Sequence, residues 1–160
     1  MTDLDSCRVT ILLCTYNGEA SLGAAIESAL SQDTEEIPFE VLVVDDGSTD
    51  ETHTIAKDFA NKDKRIRILR LEQNQGLPVA CNAGIKAAHG PFILRLDDDD
   101  LLDPYALTSL CPYLESGEED WVFSDRLEVD SETGESERIT VGPFNLFRLT
   151  ACGVMMRKDL

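Results

Sequence analysis

Basic residues are scarce: 14 Lys and Arg face 31 Asp and Glu among 160 residues, a formal charge of -17. Such a surface repels phosphate backbones, which excludes nucleic-acid binding through a basic face. Docking on anionic lipid through a polybasic patch is disfavoured on the same ground. Apolar runs are short. The longest, such as Val9 to Leu13, fall far below the ~20 residues that span a bilayer. No basic stretch followed by an apolar one opens the chain, so no signal peptide is read. Cysteine occurs five times, at 7, 14, 81, 111 and 152, an odd count with no Cys-x-x-Cys pair. A zinc ribbon or disulfide framework would need other spacing, and reduced thiols in a cytoplasmic protein are expected. Missing too are Gly-x-Gly-x-x-Gly after a strand, Gly-x-x-x-x-Gly-Lys-Ser/Thr and Gly-x-Ser-x-Gly. Their absence removes the dinucleotide Rossmann site, the P-loop NTPases and the α/β-hydrolases.

What remains is a globular composition, 42% hydrophobic and 6% aromatic, long enough for one self-supporting domain over residues 1–160. Short β-rich runs alternate with longer amphipathic ones. Strands are predicted at Val9–Leu13, Phe39–Val44, Ile66–Leu71 and Phe92–Leu96, the third more polar and so nearer an edge. Between them, Ser21 is placed to cap a helix burying Leu22, Ile26, Ala29 and Leu30. Ser48 with Glu51 reads as a capping box before Ile55, Ala56, Phe59 and Ala60. Leu77–Ala88 reads as a third helix closed by Gly90. Asp103-Pro104 starts a fourth, with Leu107, Leu110, Cys111 and Leu114 inward. Such alternation means βαβ units and a mostly parallel sheet flanked by helices. Further on, strands are expected at Trp121–Ser124 and Val154–Met156, with a polar turn over 130–135 between two β-prone runs. The chain stops at Leu160, just after Lys158-Asp159, and a truncation at the C-terminus is expected.

In open α/β sheets ligands bind beyond the carboxyl ends of the strands, and the unusual polar residues here fall there repeatedly. Thr15-Tyr16-Asn17-Gly18-Glu19 follows the first strand and Asp45-Asp46-Gly47-Ser48 the second. Asn74-Gln75-Gly76 follows the third and Asp97-Asp98-Asp99-Asp100 the fourth. Up to six carboxylates thus converge on one crevice, where their mutual repulsion calls for a shared cation. Mg2+ or Mn2+ takes oxygen ligands and keeps positions open for substrate phosphates, so a diphosphate ligand fits. Tyr16 could stack on a nucleobase or fill the loop's own core, and Asn82 could be buried or point to solvent. His53 and His89 read as surface residues away from the acidic loops.

Five of these segments, in order and spacing, resemble the family 2 glycosyltransferases: Thr15-Tyr16-Asn17-Gly18, Val43 to Asp50, Asn74 to Leu77, Asn82-Ala83-Gly84 and Leu96 to Asp100. The match runs from about Val9 to Asp103, and a weaker one continues through Cys152 to Arg157. The resemblance implies the Rossmann-like, three-layer α/β/α architecture of the GT-A type and an inverting transfer from a nucleotide sugar. It implies that Thr15, Tyr16 and Asn17 hold base and ribose, and that Asp45, with Asp46, recognises the base, usually uracil. Gly76 and Asn82 would approach the nucleotide. Asp97-Asp98-Asp99 resembles the Asp-x-Asp signature, with Asp97 and Asp98 at the nucleotide sugar and Asp97 and Asp99 at the metal; a second register pairs Asp98 with Asp100. Cys81 replaces a frequent arginine. The implied partner is a UDP-sugar, in cell-surface polysaccharide synthesis at the cytoplasmic membrane face, with the acceptor unknown. The family's general base lies beyond the Val154 strand; Asp125 and Glu128 do not match it, so none is assigned. Rival readings are a sugar-phosphate nucleotidyltransferase, an Asp-x-Asp phosphatase and a non-catalytic nucleotide-sugar-binding module.

Overall fold

The computed structural model describes residues 7–34, 36–130, 132–140 and 153–159. Cys152, the first residue of the weaker match, lies outside them. In chain order the elements are β1 (Val9–Thr15), α1 (Leu22–Leu30), β2 (Phe39–Asp45), α2 (Thr52–Lys62), β3 (Ile66–Arg70), α3 (Leu77–Ala87), β4 (Phe92–Asp97) and α4 (Ala106–Glu115), followed by β5 (Trp121–Phe123), β6 (Arg126–Val129), β7 (Ser136–Ile139) and β8 (Val154–Arg157). Six strands form one sheet in the order β3-β2-β1-β4-β8-β5, and β6 and β7 form a separate hairpin. The strands β1 to β4 run parallel, while β8 is antiparallel to both its neighbours. The polar β3 is an edge strand, as its sequence predicts, and the turn around 130–135 joins β6 to β7.

Strands β1 and β2 are buried at every position, and the period-2 pleat sends alternate residues to two cores. Val9, Ile11, Leu13, Val41 and Val43 meet α1, α2 and α4 through Leu22, Ile26, Ala56, Leu107 and Leu114. Leu12, Cys14, Leu42 and Val44 face α3 through Ala80 and Ala88. Each fully buried Leu or Ile contributes about 1.5–3 kcal/mol, so these two faces hold the strand ends in place. Gly84 sets how closely α3 lies on the sheet: a Cβ there would collide with Leu12 and stand 3.0 Å from Val44.

Several helix ends differ from the sequence expectation. Ser21 occupies the first cap position, but no side-chain oxygen caps α1. The Ser48–Glu51 capping box does not form, because α2 starts only at Thr52; Asp50 accepts from the Thr52 N–H (3.0 Å), and Ser48 is used elsewhere. Helix α3 ends at Ala87 with Ala88 as its cap. Gly90 instead passes tightly over β1, where its N–H donates to the Thr10 hydroxyl (3.1 Å) and a Cβ would lie 2.7 Å from the Thr10 nitrogen. No helix among the described residues is long and apolar enough to cross a membrane.

Candidate functional site

The register of the parallel strands puts the polar segments side by side. Thr15 lies opposite Asp45 across β1 and β2, and Cys14 opposite Asp97 across β1 and β4. The crevice therefore opens where β1 parts company with both neighbours, and the chain leaves toward different helices there.

Its first wall is two loops bolted together. Asn17 adopts a left-handed conformation (φ 54°), which asparagine tolerates better than most residues. Its N–H donates to the Ser48 hydroxyl (3.0 Å), and its side-chain oxygen accepts from the Thr49 N–H (2.9 Å). Glu19 accepts from the Glu51 N–H (3.1 Å), and its own N–H reaches Asp50 (3.3 Å). Tyr16 is left 45% exposed at the rim, so it does not fill the loop's core and its ring is available for stacking.

Asp45 and Asp46 are both buried but differ in use. Asp46 accepts the N–H groups of Gln75 (2.9 Å) and Gly76 (2.8 Å), one on each oxygen, and its own N–H donates to the Thr15 carbonyl (2.9 Å). It thereby draws the loop before α3 against the end of β1. Gly76, at φ +87°, is in a conformation that a side chain would strain. Asp45 accepts the Ser48 N–H on Oδ1 (2.8 Å). Its Oδ2 lies 3.2 Å from His53 Nδ1 and 3.4 Å from Arg70 Nε. Neither contact is aligned as a hydrogen bond, and Oδ2 and His53 Nδ1 are buried with no such partner. Burial, reinforced by Arg70 and Lys57 against the pull of Asp45, keeps the His53 imidazole below its ordinary pKa. Neutral His53 is thus the form beside Asp45 at neutral pH.

The four-Asp run forms the second wall. Asp97 ends β4, and a turn closed by the Asp100 N–H on the Asp97 carbonyl (3.2 Å) presents the next carboxylates. Asp98 accepts from the Thr15 hydroxyl. Gly18 leaves room for that pair, since a Cβ at its position would run into both side chains. Asp97 pairs with Arg95, two residues back on the same strand face. Burial nevertheless raises the Asp97 pKa, as do Asp100, Asp99 and Asp98, against Arg95. Asp99 and Asp100 are exposed.

No group of three or more His, Cys, Asp or Glu side chains among the described residues is arranged to hold a metal.

Asn82 is exposed on α3, the outward alternative of the two left open. Cys81 stands one position away, with its sulfur 3.6 Å from that of Cys14. The hydrogen bond from Cys14, helped by Arg95, lowers the Cys81 thiol to about 7 although burial opposes it; Cys14 moves up by the same contact and by burial. Asp125 is tied to Arg138 (2.7 Å) and Glu128 to Arg126 (2.7 Å).

Three residues at the site escaped sequence reasoning. His53 was placed away from the acidic loops, yet α2 brings it to Asp45. Arg70 is the register partner of Asp45 on β3, a signal readable only once strand order is known. Arg95 was legible as the one cation in the β4 run, at the two-residue spacing that shares a strand face with Asp97.

The description of Glycosyl transferase family 2 matches residues 10–154. The succinoglycan biosynthesis protein ExoO of Rhizobium meliloti is 38% identical over 131 residues, 82% of this chain and 36% of that protein. The poly(ribitol-phosphate) β-N-acetylglucosaminyltransferase TarS of Staphylococcus aureus is 32% identical over 114 residues, 71% of this chain and 20% of that one. A crystal structure of TarS residues 1–349 in complex with UDP superposes with a TM-score of 0.76 at 25% identity, covering 95% of this chain and 47% of the other. The chain thus spans well under half the length of the curated relatives it matches.

Proposed function

The chain belongs to glycosyl transferase family 2, and from that premise we propose that it forms the donor-binding part of a transferase moving a sugar from a UDP-sugar to an acceptor. The observation that carries this reading is the strand register, which sets Thr15 beside Asp45 and Cys14 beside Asp97 at the carboxyl end of the sheet; Asp45 is buried there with one oxygen lacking an aligned hydrogen bond. A uracil imide N–H is a donor of the kind that oxygen needs. Tyr16 stacks on the base, Thr15 and Asn17 line the ribose, and Gly76 and Asn82 approach the nucleotide from the α3 side. Asp97 and Asp98 meet the nucleotide sugar.

A Mg2+ or Mn2+ ion held by Asp97 and Asp99 would neutralise the leaving diphosphate. The residues of this chain bind and orient: Asp45 fixes the base, Asp46 holds the loop before α3, and Thr15 holds Asp98. No side chain here is assigned as general base; Asp125 pairs with Arg138 and Glu128 with Arg126. Polysaccharide assembly at the cytoplasmic membrane face is the setting proposed, by resemblance and by the likeness to ExoO.

Thermal unfolding with UDP tests the reading. A ligand at 100 times its Kd adds about 2.7 kcal/mol to the folded state, so UDP with Mn2+ raises the melting temperature by several degrees. Orthophosphate with Mn2+ does not. Equal stabilisation by both would favour a phosphoester-processing site, and no shift with UDP would remove the proposal.

A further inference from the structure

Neither Cys14 nor Cys81 has a task in the reading above, yet they meet. Cys14 precedes the last residue of β1 on the face toward α3 and is 6% exposed, whereas Cys81 is half-buried on α3. Their sulfurs are 3.6 Å apart although 67 residues separate them in sequence. Both are free thiols. The other described cysteines have different neighbours: Cys7 donates to the Val9 carbonyl (3.3 Å), and Cys111 is fully buried 4.0 Å from the Met155 sulfur.

We propose that Cys14 and Cys81 form a redox-active dithiol, an oxidation site beside the crevice that a hydroperoxide converts into a disulfide joining β1 to α3. Cys81 is the more exposed of the two and meets the oxidant first. Its thiolate attacks one peroxide oxygen, the O–O bond breaks, and hydroxide leaves, so that Cys81 becomes a sulfenic acid. The Cys14 thiolate then attacks the Cys81 sulfur, forming the S–S bond and breaking the S–O bond, and a second hydroxide leaves. The two protons released by the thiols convert both hydroxides to water. Two sulfurs together lose two electrons, and one hydrogen peroxide is reduced to two waters. An S–S bond is about 2.05 Å long, so the sulfurs must approach by about 1.5 Å from their present 3.6 Å. Rotation of two cysteine side chains with a small settling of α3 supplies a movement of that size.

The test is peptide mapping of the intact chain without reductant, after one equivalent of hydrogen peroxide. The expected product is a Cys14–Cys81 cross-linked peptide pair, lighter by two hydrogens than the reduced peptides and separated again by dithiothreitol. A Cys7→Ser/Cys111→Ser variant keeps this cross-link, and Cys81→Ser abolishes it. Cys81 carried on to a sulfinic acid with Cys14 still a thiol would overturn the proposal, as would a cross-link from either residue to a third cysteine. No nucleotide enters the experiment, so its outcome is independent of the transferase reading.

Discussion

Glu40 and Asp45 stand five residues apart on β2, point to opposite faces of the sheet, and are both 0% exposed. Glu40 lies toward the amino end of the strand and is fully met. The Thr10 hydroxyl (2.7 Å), the His89 N–H (2.7 Å) and Arg67 (2.8 Å) all donate to it. Asp45, at the carboxyl end, has one oxygen bonded and the other facing Arg70 and the neutral His53 without an aligned hydrogen bond. A buried carboxylate is costly unless its lone pairs are satisfied. The first therefore pins the sheet to the loop after α3, whereas the second keeps one oxygen between His53 and Arg70 without an aligned hydrogen bond. Equal burial with unequal satisfaction separates a structural carboxylate from a candidate binding one.

The largest way to break this contrast is Glu40→Ala. It leaves a buried hydroxyl, a backbone amide and Arg67 without their acceptor, and should cost about 2–4 kcal/mol in urea unfolding. A loss below 1 kcal/mol would mean that the network is not holding the fold. Asp45→Asn should do the reverse. It keeps the size and the Oδ1 acceptor, so stability should move by less than about 1 kcal/mol, while the loss of a charged hydrogen bond weakens UDP binding roughly 10-fold or more.

Acid sharpens the comparison by a smaller amount. Burial raises the Glu40 carboxyl, but the His89 amide, Arg67 and Thr10 outweigh it and hold the folded pKa below its ordinary 4.5. A depressed folded pKa gives stability that is present above the unfolded value and is lost as pH falls through the folded one. The gap between wild type and Glu40→Gln should therefore be constant from pH 7 to 5 and shrink below about pH 4.5. A gap that widens in acid would reverse the sign assigned. Smallest is His53→Ala, which removes one neutral neighbour of Asp45. UDP affinity should change by less than about 5-fold, the size expected for losing one unaligned neutral contact.

The sheet was legible because β1, β2 and β4 are short apolar runs bounded by turn residues, and because β3 carried the polarity of an edge. The hairpin β6–β7 was legible from its polar turn. Helix caps were not. Asp50, Asp103 and Ser48 all have oxygens suited to capping, and only the three-dimensional approach of the Asn17 loop decides that Ser48 serves that loop. The candidate site was legible as a line of strand-end acids, since strand order in a parallel sheet brings them together whatever the helices do. Which acids are spent on architecture was hidden: Asp46 reads like Asp45 in sequence, yet both its oxygens are taken by the loop before α3. His53 and Arg70 were hidden for the same reason, since their meeting with Asp45 depends on how α2 and β3 pack. The Cys14–Cys81 pair lies on β1 and α3, 67 residues apart, and no spacing rule reaches that far.

The proposed function requires a nucleoside diphosphate to bind at the carboxyl edge of the sheet together with a divalent ion. Calorimetric titration of UDP into the chain, once with Mn2+ and once with a chelator, measures this directly. Saturable binding with Mn2+ that disappears with chelator, and equally in Asp99→Ala, is the predicted result; identical isotherms in all three conditions would contradict it.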